Sequence, residues 1–242
     1  MDITQLLLTA LAALVALTIH EFAHGYVAYK LGDYTAKASG RLSLNPMHHL
    51  DPFGTLCMIF FHFGWAKPVP INPRNFKNPR RGFAITALAG PLVNLVVGFF
   101  AAFFYLLCLT TLKDTGNAFF NNLQINTLMF ILYFFSINIG LGIFNLIPIP
   151  PFDGSRILNV ALPERLYFKV MKYERQIYWF VIGWLLLGHY VYAYLVSVPL
   201  IGNSPALSSV AKIFSLSDML SDAINAIANA MLKVWQLLPI FN

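Results

Sequence analysis

Two histidines and a glutamate stand together near the start of the chain, in the pattern H-E-x-x-H formed by His20, Glu21 and His24. Because residues four apart share one face of a helix, the two imidazoles are expected to point the same way. Two imidazoles on one face can bind a zinc ion, and a glutamate beside them is placed to act on an attacking water molecule. The pattern therefore predicts metal-dependent hydrolysis.

The setting of this pattern is an apolar run from residue 3 to residue 29. A run of this length can cross a hydrocarbon core, which needs about 20 residues. Ionisable side chains are costly at that depth and must find partners inside the protein. A catalytic zinc ion usually takes three protein ligands and keeps one position for water, so a further ligand is expected from another part of the chain.

The composition is that of a membrane protein. The 242 residues are 58% hydrophobic and 11% charged, whereas a soluble domain carries about 25% charged residues. The net charge of +6 comes from cations in loops beside apolar segments, which indicates membrane topology and not a nucleic-acid partner. Cys57 and Cys108 are isolated, so neither a disulfide nor a thiolate zinc site is predicted.

The apolar pattern predicts an all-α membrane protein, a polytopic helical bundle of about four spans. An apolar segment over 53–65 is short for a span and suits a re-entrant or interfacial segment. Residues 41–44 alternate like a short strand. From Ser215 onward, polar residues recur every three or four positions, which predicts a C-terminal amphipathic helix lying in the membrane interface. The expected domains are a metalloprotease domain over 1–205 and an amphipathic tail over 206–242, and the expected spans are 3–29, 83–112, 125–149 and 177–200.

The distribution of charge predicts the orientation in the membrane. Only Asp2 precedes the first span, whereas basic residues follow it, and the loops over 67–81 and 155–175 are also basic. By the positive-inside rule, the N-terminus is expected outside a prokaryotic plasma membrane and the metal motif toward the cytoplasm. Asp153, at the end of the third span, returns to the same side as His24.

Asp153 is the candidate third ligand. It follows three prolines that end the third span and leave an irregular backbone, which is tolerated at membrane depth only where it is buried or lines a cavity. The alternative is an Asx-turn at Asp-Gly. Asn145 and Asn94 could each hydrogen-bond a substrate backbone or a developing oxyanion, or could join helices. A functional role is favoured for Asn145, and the two alternatives are balanced for Asn94.

Three motifs on separate spans resemble those of the site-2 protease family of intramembrane zinc metalloproteases. They are H-E-x-x-H at 20–24, G-P-x-x-N at 90–94 and N-x-x-P-x-P-x-x-D-G at 145–154. The resemblance covers most of residues 15–160. It also implies that the segment 36–66 is a membrane-associated β-hairpin region that receives an extended substrate.

The resemblance implies a role for each matching residue. His20, His24 and Asp153 would bind one zinc ion per chain, Glu21 would be the catalytic acid and base, and Asn145 would be an active-site amide. The implied partners are a transmembrane protein substrate and the lipid bilayer. The loop over 113–125 is too short for the PDZ domain of some family members, and no CBS domain is expected after the last span, which resembles the compact prokaryotic branch.

Two other functions use the same residue types. A membrane metal transporter, or a metal-binding protein, would need a trail of ligands across the membrane, and Asn94 and His189 are the main polar groups elsewhere in the spans. A membrane oxidase with two irons usually needs more histidines than the six present. The remaining histidines are interpreted as loop or interface residues: His48, His49, His62 and His189.

Overall fold

All regular elements in the described part of the chain are helices, which confirms the predicted all-α class. The computed structural model describes residues 2–51, 54, 66–199, 203–211 and 215–241. The helices are α1 (Ile3–Lys30), α2 (Thr35–Ala38), α3 (Pro79–Thr111), α4 (Ala118–Asn145), α5 (Gly154–Ala161), α6 (Glu164–Ser197), α7 (Pro205–Ala211) and α8 (Leu216–Gln236), with 3-10 turns at Pro46–His48, Pro73–Asn75 and Pro239–Phe241.

Three helices within the described residues, α1, α3 and α4, are long and apolar enough to cross a membrane. They contain 28, 33 and 28 residues, so each is longer than the roughly 30 Å of a hydrocarbon core at about 1.5 Å per residue. They correspond to the first three predicted spans. The predicted fourth span, 177–200, falls largely in the second half of α6, and its crossing stays a prediction.

The starts of these three helices are set by capping side chains. Asp2 accepts a hydrogen bond from the Gln5 backbone, and the Gln5 side chain accepts one from Asp2 in return. Asn78 caps α3 ahead of a proline at the first helical position, and Asn117 caps α4. Each cap satisfies backbone N–H groups that have no partner inside the helix.

Small residues bring α3 and α4 into close contact. A Cβ added at Gly98 would lie 3.1 Å from the Ile139 side chain, and one added at Gly142 would lie 2.7 Å from Leu95 Cγ. Packing of this kind, with side chains seated on glycine, is a common way to join helices in lipid. The pair α3 and α4 forms the centre of the bundle.

Helix α8 packs its apolar face against α3 and α4. The Trp235 indole donates a 2.7 Å hydrogen bond to the Phe99 carbonyl, while Asn229 and Lys233 on the opposite side are exposed. The apolar face of α8 therefore packs on the bundle, and its polar face points away from the bundle. The boundary at 205 and the lipid-lying position of the tail stay predictions. The contacts join Ile224, Ala228, Met231, Leu232 and Trp235 to a core of Ala101, Ala102, Phe135 and Ile139.

The region between α2 and α3 contains no strand among its described residues. The strand predicted over 41–44 is wrong: Arg41 instead donates to the carbonyls of Lys67 and Pro68, and no strand among the described residues pairs with this segment. One antiparallel bridge joins Leu50 and Ala66. Most of the predicted re-entrant segment, and hence the interior of the predicted hairpin region, lies outside the described residues.

Candidate metal centre

Three side chains from two distant parts of the chain converge at one point. Asp153 Oδ2 lies 3.1 Å from His20 Nε2 and 3.2 Å from His24 Nε2, and the two Nε2 atoms lie 3.0 Å apart. The imidazoles are almost fully buried, whereas the Asp153 side chain is 24% exposed. The arrangement brings together all three residues predicted as metal ligands.

The size of this triangle fits a zinc ion. Ligand atoms placed tetrahedrally at about 2.0–2.1 Å from zinc lie about 3.3 Å from one another, close to the 3.0–3.2 Å measured between the His20, His24 and Asp153 atoms. Two neutral imidazoles and one carboxylate form a donor set used in catalytic zinc sites, in which three protein ligands leave one position open. The three side chains are thus positioned to bind a metal ion.

The second nitrogen of His24 fixes the tautomer of that ring. His24 Nδ1 lies 2.7 Å from the backbone carbonyl of Thr86. A carbonyl can only accept, so Nδ1 carries a proton, and in the neutral ring that a metal ion requires Nε2 keeps its lone pair on the side of Asp153. Outer partners of this kind orient metal-binding histidines and raise their basicity.

His20 is oriented in the same way by a buried amide chain. Its Nδ1 contacts Asn94 Oδ1, while Asn94 Nδ2 donates to the Ala16 carbonyl at 3.3 Å and to Asn138 Oδ1 at 2.7 Å. Because both partners of Asn94 Nδ2 are acceptors, the oxygen of this amide must face His20. In the neutral ring, Nε2 of His20 is therefore the unprotonated nitrogen. With both rings neutral, the three converging atoms are all acceptors, which is the donor set that a cation needs.

Gly90 makes room for both imidazoles. A Cβ added there would lie 2.5 Å from His24 Nε2 and 2.7 Å from His20 Cε1, which is closer than real Cβ contacts allow. Together with Thr86 and Asn94 it forms a series at four-residue spacing on one face of α3. In the G-P-x-x-N motif, the glycine thus leaves space for the two imidazole rings, and the asparagine is the hydrogen-bond partner of His20.

Replacement of Gly90 by alanine is expected to weaken zinc binding at least about tenfold, since the methyl group would displace the imidazoles from their present positions. Competition with a chromogenic chelator measures the affinity. Gly140→Ala in α4 is the matched control, because nothing lies within 4 Å of a Cβ added there. Equal zinc affinity of the two variants would contradict this role for Gly90.

The loop after α4 aims Asp153 at the histidines. A Cβ at Gly154 would overlap the Leu146 carbonyl and lie 2.5 Å from the Ile147 carbonyl, so glycine is needed where the chain folds back on itself. Phe152 is buried beside Phe144, with ring centroids 4.6 Å apart. The Asp153 side chain makes no capping hydrogen bond to α5, which excludes the Asx-turn alternative.

Glu21 lies on α1 beside His20, and its carboxylate is held by another segment. Glu21 Oε2 accepts a 2.8 Å hydrogen bond from the backbone N–H of Val69. The Glu21 side chain is partly exposed and makes no other polar contact among the described residues. The role of Glu21 as the catalytic acid and base stays a prediction.

The two asparagines of the sequence prediction differ in their surroundings. The Asn145 amide donates to the Leu141 carbonyl of its own helix at 3.0 Å, and its catalytic role stays a prediction. Asn94 is fully buried and contacts His20. Sequence reasoning missed Asn138, although an asparagine within an apolar span must find a polar partner and was a usable signal.

The other histidines contribute no ligand to this centre in the described part of the chain. His49 is buried, and its Nε2 lies 2.7 Å from the Ser43 carbonyl, while His48 lies in a 3-10 turn. These positions agree with the interpretation of both as loop residues. His62 and the side chain of His189 lie outside the described residues.

Comparison with known proteins gives the family. The model of peptidase family M50 matches residues 8–190, more than half of the chain. YwhC of Bacillus subtilis (strain 168), provisionally named a zinc metalloprotease, is 41% identical over 182 residues, which are 74% of this chain and 80% of YwhC.

More distant relatives are similar over a smaller part of their own length. Rip2 of Mycobacterium tuberculosis, also provisionally named a zinc metalloprotease, is 30% identical over 165 residues, 62% of this chain and 56% of Rip2. The zinc metalloprotease MJ0392 of Methanocaldococcus jannaschii is 29% identical over 159 residues, 65% of this chain and 35% of MJ0392. No solved structure matches the chain significantly. From its family match and its relatives, this chain belongs to peptidase family M50, the site-2 protease family of membrane zinc metallopeptidases.

Proposed function

We propose that this chain is an intramembrane protease that hydrolyses a peptide bond within or beside a transmembrane segment of another membrane protein, in regulated intramembrane proteolysis. The observation that carries the proposal is the convergence of His20, His24 and Asp153 between helices apolar enough to cross a membrane, with donor atoms within 4.8 Å of one another. A metal centre at this position serves a substrate that is itself in the membrane.

The proposed ligands of the single zinc ion are His20, His24 and Asp153. Zinc, when bound, polarises the attacked carbonyl and makes hydroxide available near neutral pH. Glu21 accepts a proton from the attacking water and delivers it to the departing amine nitrogen, so that the C–N bond breaks and a carboxylate and an amine are formed. This role uses the Glu21 oxygen that does not accept from Val69.

Access to the site is proposed on the side of Asp153. The imidazoles are buried, whereas the Asp153 side chain is partly exposed, so water and substrate approach along the loop after α4. A helical substrate hides its carbonyls in hydrogen bonds, and a short stretch must unwind before attack.

Asn145 lies at the start of this loop and is proposed to contact the unwound substrate. One N–H of its amide donates to Leu141, and no protein donor among the described residues contacts its Oδ1. That oxygen can accept a backbone N–H of the substrate, and the second N–H can donate to a carbonyl or a developing oxyanion.

The orientation in the membrane rests on the basic loops. The N-terminus is proposed to lie outside a prokaryotic plasma membrane, with the metal centre toward the cytoplasmic side. The proposed alternative, transport of a metal ion, is less well supported. The described residues hold one group of metal-binding side chains, whereas a transport path needs several along the membrane normal.

The proposal is tested with purified protein in proteoliposomes and a panel of single-span substrates. Cleavage is expected within or next to the substrate's apolar segment, with loss of activity after zinc chelation and recovery when zinc is returned. Mass spectrometry of the products locates the cleaved bond. Cleavage that persists after the zinc has been removed, or zinc flux without any cleavage, would contradict the proposal.

A further inference from the structure

The segment Pro68–Val69–Pro70 lies directly on α1 beside the metal centre. The Val69 N–H donates to Glu21 Oε2 at 2.8 Å. Val69 is 6% exposed, and its Cγ1 would lie 3.3 Å from a Cβ built at Gly25. The backbone that holds Glu21 is therefore seated on the helix that carries Glu21, one turn away along α1.

Both ends of this segment are tied down. At its start, the Arg41 guanidinium donates to the carbonyls of Lys67 and Pro68. At its end, Asp33 accepts a 2.7 Å hydrogen bond from the Asn72 backbone N–H and another from the Asn75 side chain. These contacts leave little freedom for the residues between them.

Asp33 anchors the end of this segment through buried hydrogen bonds. It is completely buried and also accepts hydrogen bonds from the backbone N–H and the hydroxyl of Thr35. Burial alone would raise the pKa of Asp33, but the hydrogen bonds from Thr35, Asn72 and Asn75 outweigh it and hold that pKa below its ordinary value. The anchoring carboxylate is therefore charged at neutral pH.

The two prolines give the segment its stiffness and limit what it can bind. Proline fixes φ and has no N–H, so Val69 carries the only backbone donor of Pro68–Val69–Pro70. An edge interrupted by prolines is a poor template for pairing with a substrate strand. A stiff segment with one donor, and that donor on Glu21, has the properties of a support for the carboxylate.

We propose that Val69, in a segment anchored by Arg41 and Asp33, positions the Glu21 carboxylate for proton transfer through its backbone N–H. A glutamate side chain has several rotatable bonds and loses substantial entropy when it is confined. A donor from a fixed backbone removes part of that cost before the substrate arrives. This inference rests on the proposed function of Glu21.

The test compares Val69→Pro with Val69→Ala. Both variants lose the valine packing, but only the proline variant loses the N–H, in a position already flanked by prolines. We expect kcat for a single-span substrate to be about 10- to 100-fold lower in V69P than in V69A, the range associated with a hydrogen bond to a charged group. KM is expected to agree within about twofold and zinc content to be equal.

Three results would overturn the proposal. The first is a kcat of V69P that equals or exceeds that of V69A. The second is a difference between the two variants in KM alone. The third is loss of zinc from a V69P protein that still unfolds cooperatively and is therefore folded. Glu21→Gln in the same assay separates the two proposals: an active E21Q protein contradicts the role of Glu21, whereas an inactive E21Q with equal V69P and V69A contradicts only the role of Val69.

A variant of the anchor gives an independent result if V69P does not fold. Asp33→Asn is expected to lower kcat about tenfold at unchanged zinc content, because it loosens the end of the segment at Asn72. Asp114→Asn is the matched control. Asp114 is also a loop carboxylate that accepts from a backbone N–H and an asparagine amide, but it lies between α3 and α4. Equal kcat values for the D33N and D114N proteins would overturn the anchoring role.

Discussion

Replacement of Glu21 by glutamine is expected to lower the rate of peptide cleavage by about 10²- to 10⁴-fold, the usual contribution of a general acid or base, with zinc still bound. Glutamine keeps the size of the side chain and an oxygen that can accept from Val69, but its amide cannot take up a proton at neutral pH. Cleavage of a single-span substrate, together with zinc content measured by atomic emission, gives both quantities on one preparation.

The matched control for this prediction is Glu174→Gln. Glu174 lies on α6 and pairs with Arg156, and among the described residues no hydrogen bond or ion pair joins Glu174 to His20, His24 or Asp153. The E174Q protein should cleave at a rate close to that of the original protein. If the E21Q protein cleaved at the original rate, Glu21 would have no part in proton transfer.

Replacement of Asp153 by alanine is expected to lower zinc affinity at least about 100-fold, more than the loss of an outer partner causes, and to abolish cleavage. Asp153 is the only anionic member of the three converging side chains, and its removal leaves two imidazoles to hold a divalent cation. Zinc content after dialysis against a weak chelator measures this effect. Unchanged zinc occupancy in D153A would exclude Asp153 as a ligand.

The control for loss of the aspartate is Asp114→Ala. This change removes a carboxylate from the loop after α3 and leaves the metal centre intact. Its zinc content should equal that of the original protein. A fall in zinc content in both variants would show that the loss follows from general destabilisation, and the assignment of Asp153 would then lack support.

The two largest effects depend on different parts of the fold. Asp153 reaches the histidines because Gly154 allows the loop after α4 to fold back, whereas Glu21 is oriented by a segment that precedes α3. The rings themselves are set by α3, through the Thr86 carbonyl and the Asn94 amide. The metal centre is therefore a product of three separate elements packed around α1.

Much of the site could be predicted from local sequence. His20 and His24 share a helical face because of their spacing, which needs no tertiary information. Asp153 was predictable because prolines end the predicted third span, and the charge of the loops predicts that it returns to the side of His24. The three apolar helices, their approximate bounds and the all-α class also follow from composition and length alone.

The partners of these residues depended on the tertiary structure. Membrane helices are apolar on nearly every side, so their sequences do not indicate which face meets a neighbour. The contacts of Asn94 with His20, of Asn138 with Asn94 and of Val69 with Glu21 join residues 44 to 74 positions apart. The strand predicted over 41–44 failed for the same reason, since alternation cannot supply a pairing partner.

The sequence by itself determined the chemistry: two imidazoles, a carboxylate and a nearby glutamate in an apolar setting that only a functional site justifies. The tertiary structure decided how these groups are aimed. Hydrogen bonds across helices select the tautomers of His20 and His24, glycine at position 90 gives the rings their space, and a proline-rich segment holds the carboxylate of Glu21. Distances of about 3 Å between side chains distant in sequence arise only when the helices are packed.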